Sequence, residues 1–330
     1  MDLGLGIVSQ FDPEADMRPV PGHLRQQTER ADDHGLDFVR VAEHHVTDDN
    51  YLLNEATAAS LCHVSGDMTL DMMCLLPYHN PVRIAEFGAT VDVLTGGRFR
   101  LTVALGYRPA EYAVFGVEDT EQAVGRLTEG VELIERLWTE DSVTFDGDHH
   151  QVEDVSINPK PLQDPRPPIY AGASNESSIR RAARLVDGWC GAHVPFDVVG
   201  RQIADFRDEC EHHGEDKVVG LTREVCVGET TEEALEMARE PLVRKYGSYS
   251  SWGQDDAIAD DEFDREWAEL SEDRFVVGSP EAVVAELERY RDAYDIDYVS
   301  MRTQWKGMPW ADVHRSQELL CSEVVPALQD

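Results

Sequence analysis

Short apolar runs alternate with longer amphipathic segments along the whole chain. The apolar runs are Leu3 to Val8, Asp37 to Ala42, Met68 to Leu75, Phe99 to Leu105, Ile169 to Gly172, Gly188 to His193, Val219 to Val227 and Tyr298 to Arg302. Mostly apolar runs of this length predict strands buried on both faces, as in a parallel sheet. Between them, helical spacing covers Pro19 to His34, Tyr51 to Val64, Pro81 to Leu94, Thr120 to Trp138, Glu176 to Val186, the stretch up to His213, Thr231 to Tyr246, Glu281 to Ala293 and Trp310 to Cys321. Pro81 suits a first helical turn and Gly96-Gly97 a helix end. Eight strands alternating with helices predict an α/β fold, the closed (β/α)8 TIM barrel. An open doubly wound sheet is the alternative, but the count favours closure. No G-x-G-x-x-G follows the first strand, which weakens a dinucleotide-fold reading.

Two segments break the rhythm. Residues 142–155 alternate polar and apolar positions around Asp146-Gly147, a hairpin signal. Residues 247–275 are acidic and aromatic, and too long for an ordinary connection. They read as a lid: Tyr249, Trp252, Phe263 and Trp267 would pack on a ligand, while Asp255, Asp256, Asp260, Asp261 and Glu262 keep the open form soluble. The proline-rich stretch Asn158 to Pro168 reads as a stiff connector, so residues 1–330 are expected to form one barrel domain with insertions.

Charge narrows the partners. Asp and Glu number 65 against 29 Lys and Arg, a formal net charge of −36. Nucleic acid is excluded as a partner, because phosphate backbones require a basic surface. The acidic excess suits a halophilic cytoplasm, since at about 1 M salt the Debye length is roughly 3 Å and carboxylate repulsion fades. No apolar run approaches the roughly 20 residues of a membrane span. Met1 to Gln10 lacks signal-peptide features, so the expected location is cytoplasmic. The cysteines at 62, 74, 190, 210, 226 and 321 match no zinc spacing and read as core residues; no metal is expected.

Barrel enzymes carry their chemistry where strands end. The second strand ends in Ala42-Glu43-His44-His45, two histidines and a carboxylate able to do acid–base work near neutral pH. A polar surface turn is the plainer reading. After the fourth strand, Gly106 permits close backbone approach, and Tyr107 and Arg108 follow. After the fifth strand, Ala173, Ser174, Asn175, Ser177 and Ser178 open a helix whose free amides suit a phosphate, or simply a helix cap. His193 ends the sixth strand, where it could line a cavity.

Three blocks resemble bacterial-luciferase-like flavin-dependent oxidoreductases, a monooxygenase family: GLDFVRVAEHH (Gly35 to His45), the stretch Leu76 to Gly116 containing PYHNPVRIAEFGATVDVLTGGRFRLTVALGYRPAEYAVFG, and PPIYAGASNESSIRRAARLVDGW (Pro167 to Trp189). The resemblance implies a barrel that binds reduced flavin mononucleotide (FMN), or in related branches a 5-deazaflavin coenzyme. It implies catalytic roles for His44, with Glu43 or His45 orienting it. It implies cofactor contacts from Met72, Met73, Gly106, Tyr107, Arg108, Ala173, Ser174, Asn175, Ser177 and Ser178. Luciferases proper carry an arginine before the glycine matching Gly106, where this chain has Leu105. Either Arg108 reaches the phosphate instead or the site is built differently; the alternative for Arg108 is an ion pair with Glu111. The family often has a non-proline cis peptide where this chain has Met72-Met73; an ordinary trans strand is the alternative.

The function the resemblance implies is a monooxygenase using reduced FMN and O2 on a small organic substrate, an aldehyde or other carbonyl compound. A separate flavin reductase and a homodimer come with it. A deazaflavin-dependent hydride-transfer oxidoreductase and a non-catalytic flavin-binding subunit are the alternatives.

Overall fold

A computed structural model describes residues 1–254, 263 and 265–329. Eight parallel strands form the barrel: β1 (Asp2–Ile7), β2 (Phe38–Val41), β3 (Thr69–Cys74), β4 (Phe99–Ala104), β5 (Ile169–Gly172), β6 (Gly188–Gly191), β7 (Val218–Val227) and β8 (Tyr298–Arg302). Each pairs with its sequence neighbour, and β1 pairs with β8 in the register Gly4 opposite Ser300, which closes the ring. The surrounding helices are α1 (Val20–Asp33), α2 (Asn54–Leu61), α3 (Pro81–Thr95), α4 (Thr120–Thr139), α5 (Glu176–Leu185), α6 (Phe196–His213), α7 (Thr231–Ser251), α8 (Pro280–Tyr294) and α9 (Trp310–Leu319). No helix among the described residues is long and apolar enough to cross a membrane.

Strand parity sorts the side chains into two layers. One set of alternate residues, including Leu5, Val39, Val41, Leu70, Met72, Leu101 and Val103, joins the main hydrophobic core. The other set meets inside the barrel. Phe38, Tyr170 and Tyr298 form a separate aromatic cluster there. Glycines leave space for these rings: a Cβ at Gly4 would stand 2.2 Å from the Phe38 ring, and one at Gly220 would stand 2.0 Å from Tyr298. Above the rings, Asp71 Oδ2 accepts from Arg40 and lies 2.7 Å from both Arg40 and Arg100, while Thr102 donates to Oδ1 at 2.7 Å. Arg100 lies 4.5 Å from the Phe38 ring centre and 4.7 Å from that of Tyr170. Burying the charges is expensive; pairing, hydrogen bonds and ring faces offset the cost.

The expected elements are present, with shifted ends and additions. Asn50–Tyr51 pairs antiparallel with Gln10–Phe11, so the helix expected from Tyr51 begins at Asn54. The hairpin is seen as Val143–Asp146 paired with Gln151–Val155. A short helix at Pro109–Phe115 and a strand at Val276–Gly278 were not foreseen. Helix α7 continues to Ser251, so the first residues of the expected lid, 247–251, are helical. The acidic residues Asp255, Asp256, Asp260, Asp261 and Glu262 of that expectation lie outside the described residues. Phe263 is buried edge-on to Tyr246, 4.9 Å between centroids, and Trp267 stacks on Phe275 at 5.8 Å, so both join the core side of the barrel wall. All six cysteines are buried and free.

Candidate active site

A cavity of about 580 Å³ opens at the C-terminal ends of the strands. That lies within the roughly 300–1,000 Å³ typical of small-molecule sites. Small residues from successive strand ends leave the room: Ala42, Ala104, Gly172, Ala173, Gly191 and Ala192.

His44 stands on one wall in an aromatic box. Its ring lies 5.4 Å from Trp252, 5.6 Å from Tyr51 and 5.9 Å from Tyr107, between centroids. Its Nδ1 is 3.4 Å from Glu111 Oε1. Glu111 is fully buried and also accepts the His45 amide at 2.8 Å. Burial alone would raise the Glu111 carboxyl, but His44, the His45 amide and Arg108 outweigh it and hold it below the usual range. A carboxylate at Nδ1 favours the tautomer with its proton there, leaving Nε2 free to move a proton. The pairing spans 67 positions, so no local signal could reveal it.

This corrects the expected supporting cast. Glu43 borders the cavity but turns to other partners: it accepts from His79 at 2.9 Å and from the Leu75 amide at 2.5 Å, and lies 3.2 Å from His45. Burial would raise its carboxyl, yet the contacts with His45 and His79 bring it down to about 2. His45 faces Glu43 and the Phe115 ring, 4.9 Å away, and does not line the cavity. Neither residue orients His44; Glu111 does.

Across the cavity, α5 begins with a capping box. The Asn175 side chain accepts the Ser178 amide at 3.0 Å, and the Ser178 hydroxyl accepts the Asn175 amide at 3.2 Å. The first-turn amides of Glu176 and Ser177 have no intrahelical acceptor, as at any helix start. Ala173, Ser174, Asn175 and Ser178 line the cavity, while the Ser177 side chain lies outside its lining and donates to Asn175 at 2.9 Å. The cap does not exclude an anion at this helix start, where Ser177 could offer its amide but not its hydroxyl as placed.

Of the remaining expected cofactor residues, Gly106, Tyr107 and Met73 line the cavity. Gly106 has φ +76°, and a Cβ there would meet the Tyr78 hydroxyl at 2.2 Å. The Tyr107 hydroxyl is buried without a hydrogen-bond partner. Met72 is a correction: strand parity turns it to the outer core, where it is fully buried away from the cavity. Among the described residues only Asn158–Pro159 and Asp164–Pro165 are cis, so the Met72–Met73 bond is trans.

Arg108 is also differently employed. It lies 3.1 Å from Glu111, donates to the His45 carbonyl at 2.5 Å, faces the Trp252 ring at 4.5 Å, and is not part of the cavity lining. Arg108→Ala is therefore expected to weaken phosphorylated and unphosphorylated flavin equally, and to slow turnover by loosening Glu111. Titrating both flavins by fluorescence checks this; a loss confined to the phosphorylated ligand would place the guanidinium on the phosphate.

At the opposite rim sits a network that sequence reading missed. Glu224 is fully buried and bonded to Lys245, to the Trp305 indole N–H and, at 3.0 Å, to Arg302. Arg302 also donates to His193 Nδ1 at 3.2 Å. Both Arg302 and His193 border the cavity. Burial and then the Arg302, Lys245, Arg223 and Arg274 charges push His193 well below its ordinary value; with Nδ1 accepting from Arg302, the N–H of the neutral ring is the one at Nε2. Burial brings Lys245 down to about 7 despite Glu224. Only His193 had a sequence signal, its place at a strand end.

The luciferase-like monooxygenase family profile matches residues 1–295. An FMNH2-dependent dimethylsulfone monooxygenase of Pseudomonas putida is 28% identical over 167 residues, 50% of this chain and 46% of that protein. The match thus spans about half the length of that relative. Monooxygenase RslO1 of Streptomyces bottropensis superposes with a TM-score of 0.83 at 20% identity, covering 99% of both chains. An F420-dependent secondary alcohol dehydrogenase in complex with an F420–acetone adduct gives 0.81 at 18% identity, covering 100% of this chain and 99% of that one. These two likenesses establish the barrel fold. With the family profile spanning most of the sequence, the chain belongs to the luciferase-like monooxygenase family.

Proposed function

We propose that the chain is a monooxygenase that uses reduced FMN, supplied by a separate flavin reductase, to oxygenate a small organic substrate. The observation that carries this reading is the arrangement of one cavity: a capped helix N-terminus on one side and the His44–Glu111 pair on the other. The helix start suits a dianionic phosphate, with first-turn amides and the Ser174, Asn175 and Ser178 edge around it. The glycine and alanine walls suit a flat ring, and the unpartnered Tyr107 hydroxyl offers a hydrogen bond at its edge. Reduced flavin would supply the electrons that activate oxygen. The protein's own share is to hold the ring, exclude water with Tyr51, Tyr107, Tyr249 and Trp252, and move a proton at His44 Nε2. The FMN-dependent relative supports this reading over hydride transfer through a 5-deazaflavin. Aldehydes and other carbonyl compounds are the substrate class proposed, and a homodimer the assembly.

The test is cofactor choice. In molar salt, the protein should bind reduced FMN tightly, and a reductase-coupled assay should show substrate-dependent oxygen uptake. Asn175→Ala should weaken FMN more than riboflavin. Preference for the deazaflavin, with no oxygen consumed, would overturn the monooxygenase reading. Tight flavin binding with no turnover on any candidate would instead indicate a non-catalytic subunit.

A further inference from the structure

Behind the cavity wall, Glu43, Cys74 and His79 converge from the ends of β2 and β3 and the turn that follows β3. One ligand atom from each lies within 4.8 Å of the others. His79 Nε2 stands 2.9 Å from Glu43 Oε1, and His45 Nε2 stands 3.2 Å from Glu43 Oε2. Glu43 and Cys74 are buried. Glu43 Oε2 and His45 Nε2 are buried and make no hydrogen bond. Glu43 Oε2 has only the His45 ring beside it, at 3.2 Å, so it keeps a lone pair for a further ligand.

We propose that Glu43, Cys74 and His79, with water as the fourth ligand, bind a thiophilic divalent cation of the zinc class. Imidazole, thiolate and carboxylate together make the donor set that zinc accepts in four-coordinate sites, at about 2.0–2.3 Å. Calcium and magnesium are disfavoured, because they require six or more oxygen ligands. On binding, a metal–sulfur bond replaces the thiol S–H bond, and the proton passes to water. Glu43 borders the cavity, which gives the ion a way in. The donors fall at positions 43, 74 and 79, a spacing no sequence signature of zinc contains. Glu43 holds the His45 ring, and the His45 amide donates to Glu111, so an ion on Glu43 would disturb the carboxylate beside His44 and should act as an inhibitor.

Cobalt(II) tests the site, because a thiolate ligand gives an intense near-ultraviolet charge-transfer band. The metal-free whole protein should take up one equivalent of cobalt with that band, and zinc should displace it. Cys74→Ser should lose the band and bind at least about tenfold more weakly, since ligand loss is typically worth that much or more. Cys74 faces away from the cavity, so this variant should keep flavin affinity and turnover yet resist zinc inhibition. His79→Gln provides the same comparison should the serine variant misfold, as judged by circular dichroism. Absence of the band in the unaltered protein, or equal cobalt affinity in the variants, overturns the proposal.

Discussion

Alanine in place of His44 is expected to cut turnover by about 10²–10⁴-fold, the usual worth of general acid–base assistance, while flavin affinity stays nearly unchanged. Among the described residues, His44 is the one imidazole that both borders the cavity and has a buried carboxylate at its Nδ1. His193 also borders the cavity and has Glu224 3.5 Å from its Nε2, but Arg302 occupies its Nδ1, and burial with the surrounding cations holds it well below its ordinary value. His45 and His79 are spent on Glu43. The loss should therefore be specific to position 44. Glu111→Gln should produce a smaller loss, because it keeps a polar group at Nδ1 and removes only the charge. Single-turnover rates and flavin dissociation constants for the three proteins separate the two effects. A His44→Ala protein with unaltered single-turnover rate would remove His44 from the chemistry, and a fall in flavin affinity of equal size would make it a binding residue.

Much of this geometry was readable in advance, and the part that was not has a common cause. The barrel was legible because its strands are mostly apolar and its helices amphipathic, a pattern that needs no long-range information. The helix start at Asn175 was legible because a cap is a local event: Asn175 and Ser178 are three positions apart and bond to each other. Strand parity could have corrected Met72. Asp71 is a charge that a parallel barrel can hold only inside, among other polar side chains; its neighbour Met72 must then face outward, and Met73 inward again. Arg108 had its eventual partner three residues away, at Glu111, and the ion pair was the nearer option.

What escaped sequence reading are pairs joined only by the closing of the ring. His44 meets Glu111, Glu43 meets His79, and Glu224 meets Arg302 across separations that depend on strand register. Register places Glu224 beside Arg302 on adjoining strands, yet nothing in either strand's own sequence announces the other. The same holds for the cluster of Arg40, Asp71 and Arg100. Three charged residues in apolar strands are visible individually, but that two guanidiniums share one carboxylate follows only from the order β2, β3, β4 in the sheet.

That cluster gives the largest stability effect expected. Asp71→Asn should destabilise the protein by about 3–5 kcal/mol, the usual cost of removing one partner from a buried ion pair. The reasons are specific. Asp71 is fully buried and its carboxylate is the counter-charge to Arg40 and Arg100, which are themselves buried. Asparagine preserves volume, so little of the loss would come from packing. It would leave two guanidiniums facing the rings of Phe38, Tyr170 and Tyr298 without an anion. The pH dependence carries the same sign. Burial alone would raise the Asp71 carboxyl, but Arg100, Arg40 and Thr102 outweigh it and hold it below its ordinary value. A carboxyl depressed on folding contributes stability that is fully present above the unfolded value of about 3.9 and lost as pH falls through the folded value. The unaltered protein should therefore lose this contribution only in strong acid, and Asp71→Asn should abolish that part of the acid dependence. Urea unfolding in constant molar salt, at neutral pH and at successively lower values, measures both. A change under about 1 kcal/mol at neutral pH would mean that water or relaxation, not Asp71, neutralises the barrel interior. Arg40 also donates to the Cys190 thiol at 2.9 Å and to the Thr222 hydroxyl at 3.3 Å, and both residues form part of the cavity floor. On the proposed function, the variant should consequently bind flavin less tightly as well, because the cavity floor is held by the charge that Asp71 fixes in place.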